Sequence, residues 1–422
     1  MTAIPTADQI AEFGTRAEAM IRELGAISSD PNRLVRLFLS PEHRKAADLV
    51  GRWMRETGLA VSEDALGTVR GRWMPAGRPA AKLLLMGSHI DTVIDAGQYD
   101  GPLGVVAGIL AAGHVARARP DLRVGLDVLA FGDEEGSRFR STLTSSSACA
   151  GVFDASALAF PDREGITLAD AIAAYGKRAA DIPAAAYRRD AVAGYIEVHI
   201  EQGPVLEAEN LPLGIVTGIV GQTRMRVVVL GEQGHAGTVP MHMRHDALTG
   251  AAEIILDVEK IAREHAADRM VATVGRIEAS PGATNVIPGR VGFSLEVRAL
   301  TDDLRRGAIA RIRKDAQAVA TGRKIEVTFE PFHETETTAC AAPMQDLLEQ
   351  AIGDLGLSTT RMPSGAGHDA QIMAQLCPAA MMFVRCRGGV SHNPAEYAGP
   401  QDMGLAVAAL VRFIERFSAA QP

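Results

Sequence analysis

No apolar run in this 422-residue chain reaches the roughly 18 residues that a membrane-spanning helix needs, so a transmembrane helix is not expected. Basic residues form no run or tail. Lys and Arg total 43 against 51 Asp and Glu, a formal charge of −8, and nucleic acid is not an expected partner. The start at Met1 is polar and Ala-rich, without a charged flank and an apolar core, so no secretory signal is expected. The four cysteines, Cys149, Cys340, Cys377 and Cys386, show no CxxC spacing. They read as buried thiols of a cytoplasmic protein, not as a disulfide frame. What is present is a globular composition, 47% hydrophobic, on a chain of about the length of two domains.

The opening segment to about Gly58 reads as helical, with Ile10, Phe13, Ala17, Ile21 and Leu24 at helical spacing. Apolar runs at Lys82–Met86, Val124–Phe131, Tyr195–Ile200 and Ala379–Val384 then read as buried parallel strands. Gly104–Val115 reads as the helix after the first of them. Strands alternating with helices predict an α/β sheet. The middle differs. Strand Met225–Leu230, helix Asp246–His265, strands Met270–Ile277 and Arg290–Ala299, helix Asp302–Thr321 and strand Lys324–Phe332 give a β-α-β-β-α-β order. That is a ferredoxin-like unit, placed at residues 215–332 between two halves of an α/β domain, residues 1–214 and 333–422.

Each of the four predicted strands is followed by candidate metal ligands. Gly87-Ser88-His89-Ile90-Asp91 follows the first, with Asp100-Gly101 after its loop. Asp133-Glu134-Glu135 follows the second, His199-Ile200-Glu201-Gln202 ends the third, and Ser391-His392-Asn393 follows the fourth. Ligands gather at the carboxyl ends of strands in open α/β sheets, so these residues are expected to converge. Alone, Asp100-Gly101 is a turn signal and Glu134-Glu135 a solvated pair; their joint order carries the inference. Imidazole and carboxylate suit zinc, manganese or cobalt. Two ions roughly 3.5–4 Å apart need a bridging carboxylate, for which Asp100 is the candidate. His89 and His199 complete one ion, and Glu135 and His392 the other. Asp91, two residues after His89, is expected to accept the second imidazole proton. With Glu135 on a metal, Glu134 is left as the general base.

With these segments in view, the chain resembles the M20-type metallopeptidase-like amidohydrolases. The resemblance is narrower to the branch of N-carbamoyl-L-amino acid hydrolases, beta-ureidopropionases and allantoate amidohydrolases. It rests on GSHIDTV (Gly87–Val93), YDGPLGV (Tyr99–Val105), EEGSRF (Glu134–Phe139) and HIEQGPVLE (His199–Glu207). It rests also on GHAGTVPMHMRHDAL (Gly234–Leu248), NVIPG (Asn285–Gly289), SGAGHDA (Ser364–Ala370) and GVSHNPAE (Gly389–Glu396). His199 stands where the peptidase and deacylase relatives typically carry an acidic ligand, which points to the carbamoylase branch.

The resemblance implies a two-metal aminopeptidase-like catalytic domain, interrupted by a smaller lid domain that makes a homodimer. It implies that His235 stabilises the oxyanion across that dimer. Asn285 and Arg298 are implied to hold the substrate carboxylate, for which the planar guanidinium is suited. Gln202 is implied to contact the ureido end, and SGAGHDA to line the pocket with backbone groups. The expected reaction is hydrolysis of the C–N bond of a ureido or carbamoyl group on a small carboxylate, releasing ammonia and carbon dioxide. The enzyme class is hydrolysis of C–N bonds other than peptide bonds in linear amides or amidines. The rival readings are a two-metal aminoacylase or dipeptidase of the same fold, and a non-catalytic binder of ureido acids.

Overall fold

The computed structural model describes residues 4–421. The chain divides into two compact units, Met1–Thr217 with Cys340–Pro422, and Gly218–Ala339. Among the described residues no helix is long and apolar enough to cross a membrane. All four cysteines are buried and free.

The first unit is an α/β layer structure. Four strands, Gly125–Phe131, Leu83–His89, Val192–Ile200 and Ala379–Val384, lie side by side in that order and run parallel. Leu83–His89, Gly125–Phe131 and Ala379–Val384 are buried at every residue, as unbroken apolar runs in a two-sided sheet should be. Because the four are parallel, their carboxyl ends share one edge, and the segments that follow them meet there. Val69–Trp73 extends the sheet antiparallel on Gly125–Phe131, and Leu213–Ile219 does so on Ala379–Val384.

The helix Pro102–Ala118 begins with a proline at its first turn and is buried along most of its length. Gly104 is required there, since a Cβ would lie 2.2 Å from the Val198 carbonyl oxygen. The opening segment is not one helical stretch. Helices Ala7–Gly25 and Pro41–Glu56 are separated at residues 26–40, where Ser28, Asp30 and Pro31 favour turns and Ser40 caps the second helix.

Helix Ala7–Gly25 packs against the C-terminal helix Pro400–Ala420 through paired glycines. A Cβ on Gly404 would lie 2.2 Å from the Ile10 carbonyl oxygen, and one on Gly14 would lie 2.0 Å from that of Pro400. Backbone cannot yield as a flexible side chain can, so Gly404→Ala should destabilise by about 1–3 kcal/mol despite a helix-propensity gain of ~1 kcal/mol. Gly307 in helix Asp302–Arg323 has nothing within 4 Å of such a Cβ. Thermal unfolding should therefore show a lower Tm for Gly404→Ala and none for Gly307→Ala. Equal responses would sink the close-packing account.

The second unit is a ferredoxin-like α+β fold. Its antiparallel sheet runs Ile277–Ser280, Arg290–Ala299, Gly221–Leu230, Glu326–Thr335, with helices Ala247–Glu264 and Asp302–Arg323. The strand expected at Met270–Ile277 is two short ones, Val271–Thr273 and Ile277–Ser280, both paired with Arg290–Ala299. Gly275 between them explains the break, since glycine weakens a strand interior. A separate two-stranded ribbon joins Gly234–His235 to Val286–Ile287.

Candidate metal centre

At the carboxyl edge of the first unit's sheet, His89 is the last residue of its strand and His199 the last but one of its own. Both are 1% exposed, and Asp100 between them is 6% exposed. His89 Nε2 lies 3.5 Å and His199 Nε2 3.1 Å from Asp100 Oδ1. The other carboxylate oxygen faces elsewhere: His392 Nε2 lies 3.3 Å from Asp100 Oδ2 and 3.4 Å from Glu135 Oε2. Two donor sets therefore share one carboxylate: His89, His199 and Asp100, and Glu135, His392 and Asp100. Within each set the candidate ligand atoms lie within 4.8 Å of one another.

The tautomers follow from what the other ring nitrogens touch. His199 Nδ1 lies 2.9 Å from the Ile200 carbonyl oxygen, and His89 Nδ1 lies 3.1 Å from that of Asp91. A carbonyl oxygen only accepts, so each Nδ1 carries the proton and donates it. Each Nε2 then presents a lone pair toward the carboxylate, and His199 Nε2 is buried without a hydrogen-bond partner. In neutral rings a lone pair facing carboxylate oxygen is repulsive unless a cation lies between. Without metal a second proton on each ring fills that place, and despite burial His89 and His199 are raised accordingly. The same donors fit a metal ion.

Asp91 stays beside His89 and has a second attachment. Its carboxylate Oδ1 is 3.5 Å from His89 Nδ1, farther than its own main-chain carbonyl. The carboxylate also accepts the backbone N–H groups of Glu134 (3.2 Å) and Glu135 (3.3 Å). Asp91 thus fixes the turn that presents both glutamates.

Glu134 Oε2 lies 3.9 Å from His89 Nε2. Burial, with Glu135, Asp369 and Asp100 adding like charge, outweighs His89 and pushes its carboxyl well above the usual range. Burial and Asp100 push Glu135 up to about 7. Burial opposes charge on Asp100 as well, but the imidazoles of His199, His392 and His89 hold it well below its ordinary value. His392, hydrogen-bonded to Asp100, is raised to about 9. Gln202, at φ 58°, gives its Nε2 to Asp100 Oδ2 at 2.8 Å, while its Oε1 is buried without a partner.

Some contributors carry no recognised ligand motif. His368 packs edge-on against His199, ring centroids 4.5 Å apart, with its Nε2 2.8 Å from Ser364 Oγ. SGAGHDA therefore brings a side chain to this cluster as well as backbone. Glu197 is fully buried, holding Ser88, Tyr195 and the Ala370 N–H. A charge inside the apolar run YIEVHI, on the same strand face as His199, was the available signal. Asp369 is fully buried with neither oxygen hydrogen-bonded.

His235, Asn285 and Arg298 belong to the second unit. His235 pairs with Val286 across the short ribbon, and the next residue, Ala236, donates its N–H to the Asn285 carbonyl at 3.0 Å. His235 Nδ1 accepts the Gly237 N–H at 3.0 Å, so a proton on neutral His235 sits on Nε2. Arg298, near the end of strand Arg290–Ala299, donates Nε–H to Glu296 Oε1 at 2.6 Å.

A parallel sheet whose carboxyl edge gathers imidazoles and carboxylates about one shared aspartate defines a class, the α/β proteins with a cation-ligand cluster at the strand ends. The chain belongs to peptidase family M20/M25/M40, whose model matches residues 85–416. It is 39% identical to an allantoate deiminase of Arabidopsis thaliana over 428 aligned residues, covering 94% of this chain and 81% of that one. It is also 39% identical to an N-carbamoyl-L-amino acid amidohydrolase of Geobacillus stearothermophilus, covering 93% and 95%. The crystal structure of an amidase of the hydantoinase/carbamoylase family from Burkholderia multivorans superposes with a TM-score of 0.89 at 32% identity, covering 97% and 98%.

Proposed function

We propose that this protein is a divalent-metal-dependent hydrolase that cleaves the C–N bond of a ureido group on a small carboxylate, an N-carbamoyl-L-amino acid or allantoate. Water and the ureido group yield the free amine, ammonia and carbon dioxide. The observation that carries the reading is the split of Asp100, one oxygen toward His89 and His199 and the other toward His392 and Glu135, with Glu134 alongside. Relatives named for allantoate and N-carbamoyl-L-amino acids supply the substrate class.

In this reading His89, His199 and Asp100 would hold one ion, and Glu135, His392 and Asp100 the other. Zinc, manganese and cobalt all suit these donors. Bound there, divalent ions supply Lewis acidity and bring the pKa of water toward neutrality. Glu134 takes the proton of the attacking water and returns it to the departing nitrogen. A carboxyl with its affinity for protons raised by burial suits both steps near neutral pH. Asp91 holds Glu134 in place through its backbone N–H. His235 is assigned to the developing oxyanion, and Asn285 and Arg298 to the substrate carboxylate. These three roles follow from the family resemblance.

The test is a panel of allantoate, N-carbamoyl-L-amino acids and N-acetyl-L-amino acids with metal-loaded enzyme, read by ammonia release and by free amine. Ammonia from the ureido acids, with N-acetyl compounds slower by at least about tenfold, is expected. An enzyme that prefers the N-acetyl compounds is an aminoacylase, and the proposal fails.

A further inference from the structure

Asp100 is gripped unevenly. Its Oδ2 receives Ser391 Oγ and Gln202 Nε2, each at 2.8 Å. Ser391 Oγ also lies 3.1 Å from Glu396 Oε2, and Glu396 Oε1 accepts the backbone N–H groups of Tyr99 (2.8 Å) and Asp100 (3.0 Å). Glu396 is 5% exposed, and it fills the space that a side chain on Gly97 would take, a Cβ there falling 2.3 Å from its carboxyl. One glutamate thus holds Asp100 by its backbone and, through Ser391, at one carboxylate oxygen.

The two donor sets also differ. His89 and His199 are buried, with Nδ1 tied to main-chain carbonyls. The His392 side chain is 51% exposed and sits on a loop residue at φ 54°. A buried, pre-oriented imidazole pair loses little freedom on taking up an ion, whereas an exposed loop histidine must be ordered.

We propose that Ser391 and Glu396 are positioning residues for the Oδ2 half of Asp100, and that the two cation positions differ in affinity, the His89–His199 position filling first and the Glu135–His392 position depending on Ser391. This rests on the metal reading above. An ion held by His89, His199 and Asp100 would pin that end of the carboxylate. The loss of the Ser391 hydroxyl is then felt at the other end, where Oδ2 is left to turn away from His392 and Glu135. Gln202 assists at the same oxygen.

The experiment strips the full-length protein with a chelator and titrates Mn2+ calorimetrically, with elemental analysis counting bound ions. Wild type should take up two ions in two resolved steps. Ser391→Ala should weaken the second step about 10–100-fold and leave the first unchanged, and Ser391→Thr, which keeps the hydroxyl, should restore it. Glu396→Leu, which keeps the bulk and removes both oxygens, should give the same pattern and serves as the second variant if Ser391→Ala does not fold. Uptake of both ions in one step, or equal weakening of both by Ser391→Ala, overturns the proposal. A flat isotherm for wild type overturns the metal reading itself, and the two failures are told apart by that trace.

Discussion

Glu134→Gln should leave metal content and KM near those of wild type and lower kcat for a ureido acid by about 10²–10⁴-fold, the range for loss of a general base. The substitution keeps the size and the backbone, so the N–H bond from residue 134 to Asp91 survives. What is lost is the ability to take a proton. The effect should fall on kcat because an interaction made only in the transition state is removed. The neighbouring variant decides the division of labour between the two glutamates. Glu135 is the one 3.4 Å from His392, whereas Glu134 is 3.9 Å from His89, so Glu135→Gln should cost one ion by elemental analysis. If instead Glu134→Gln loses an ion and Glu135→Gln keeps both, the roles are exchanged. If Glu134→Gln retains more than a few per cent of turnover, residue 134 is not the base.

The sequence made the candidate metal cluster legible because each donor ends or follows a buried parallel strand, and parallel strands deliver their ends to one place. His89, Asp100, Glu135, His199 and His392 are drawn together in that way. The same logic made the central sheet readable, since Leu83–His89 and Ala379–Val384 are apolar on both faces. The outer strands carry no such signal. Ala60–Glu63 alternates between exposed and half-buried positions, and Val69–Trp73 is short and carries two arginines, so neither forms the apolar run that marks a strand.

The surrounding contacts were harder still. That a main-chain carbonyl, and not the Asp91 carboxylate, takes the nearer place at His89 depends on local backbone geometry that residue spacing does not encode. Ser391 and Glu396 act on Asp100 from almost 300 positions away in the chain. His368 meets His199 from far along the chain. For the second unit, Arg290–Ala299 alternates with Val291, Phe293, Leu295 and Val297 on the buried face, while a single glycine, Gly275, is too weak a signal to divide the run around it.

Exhaustive chelation should take hydrolysis to background, lower the Tm, and leave a protein whose stability falls as the pH rises from about 5 to about 9. Activity should return with Mn2+, Zn2+ or Co2+. The argument is electrostatic. Asp91, Asp100, Glu134 and Glu135 crowd the three imidazoles, with Asp133, Glu197 and Asp369 buried nearby. Like charges packed without solvent repel strongly unless cations offset them. In the stripped protein the folded state compensates by holding protons. Glu135 is moved from 4.5 to about 7, and His392 from 6.5 to about 9. Both shifts are upward, so the folded state binds more protons than the unfolded one across this range. The stabilisation is complete below the unfolded values and is lost as pH passes through the folded ones. Asp100, shifted downward, acts in the opposite sense only in the acid range below its ordinary value of 3.8. Saturating metal should flatten the pH profile and add about 2.7 kcal/mol at a hundred times Kd. Full activity after chelation, or a stripped protein whose Tm rises between pH 5 and 9, would show that these side chains do not form a cation cluster.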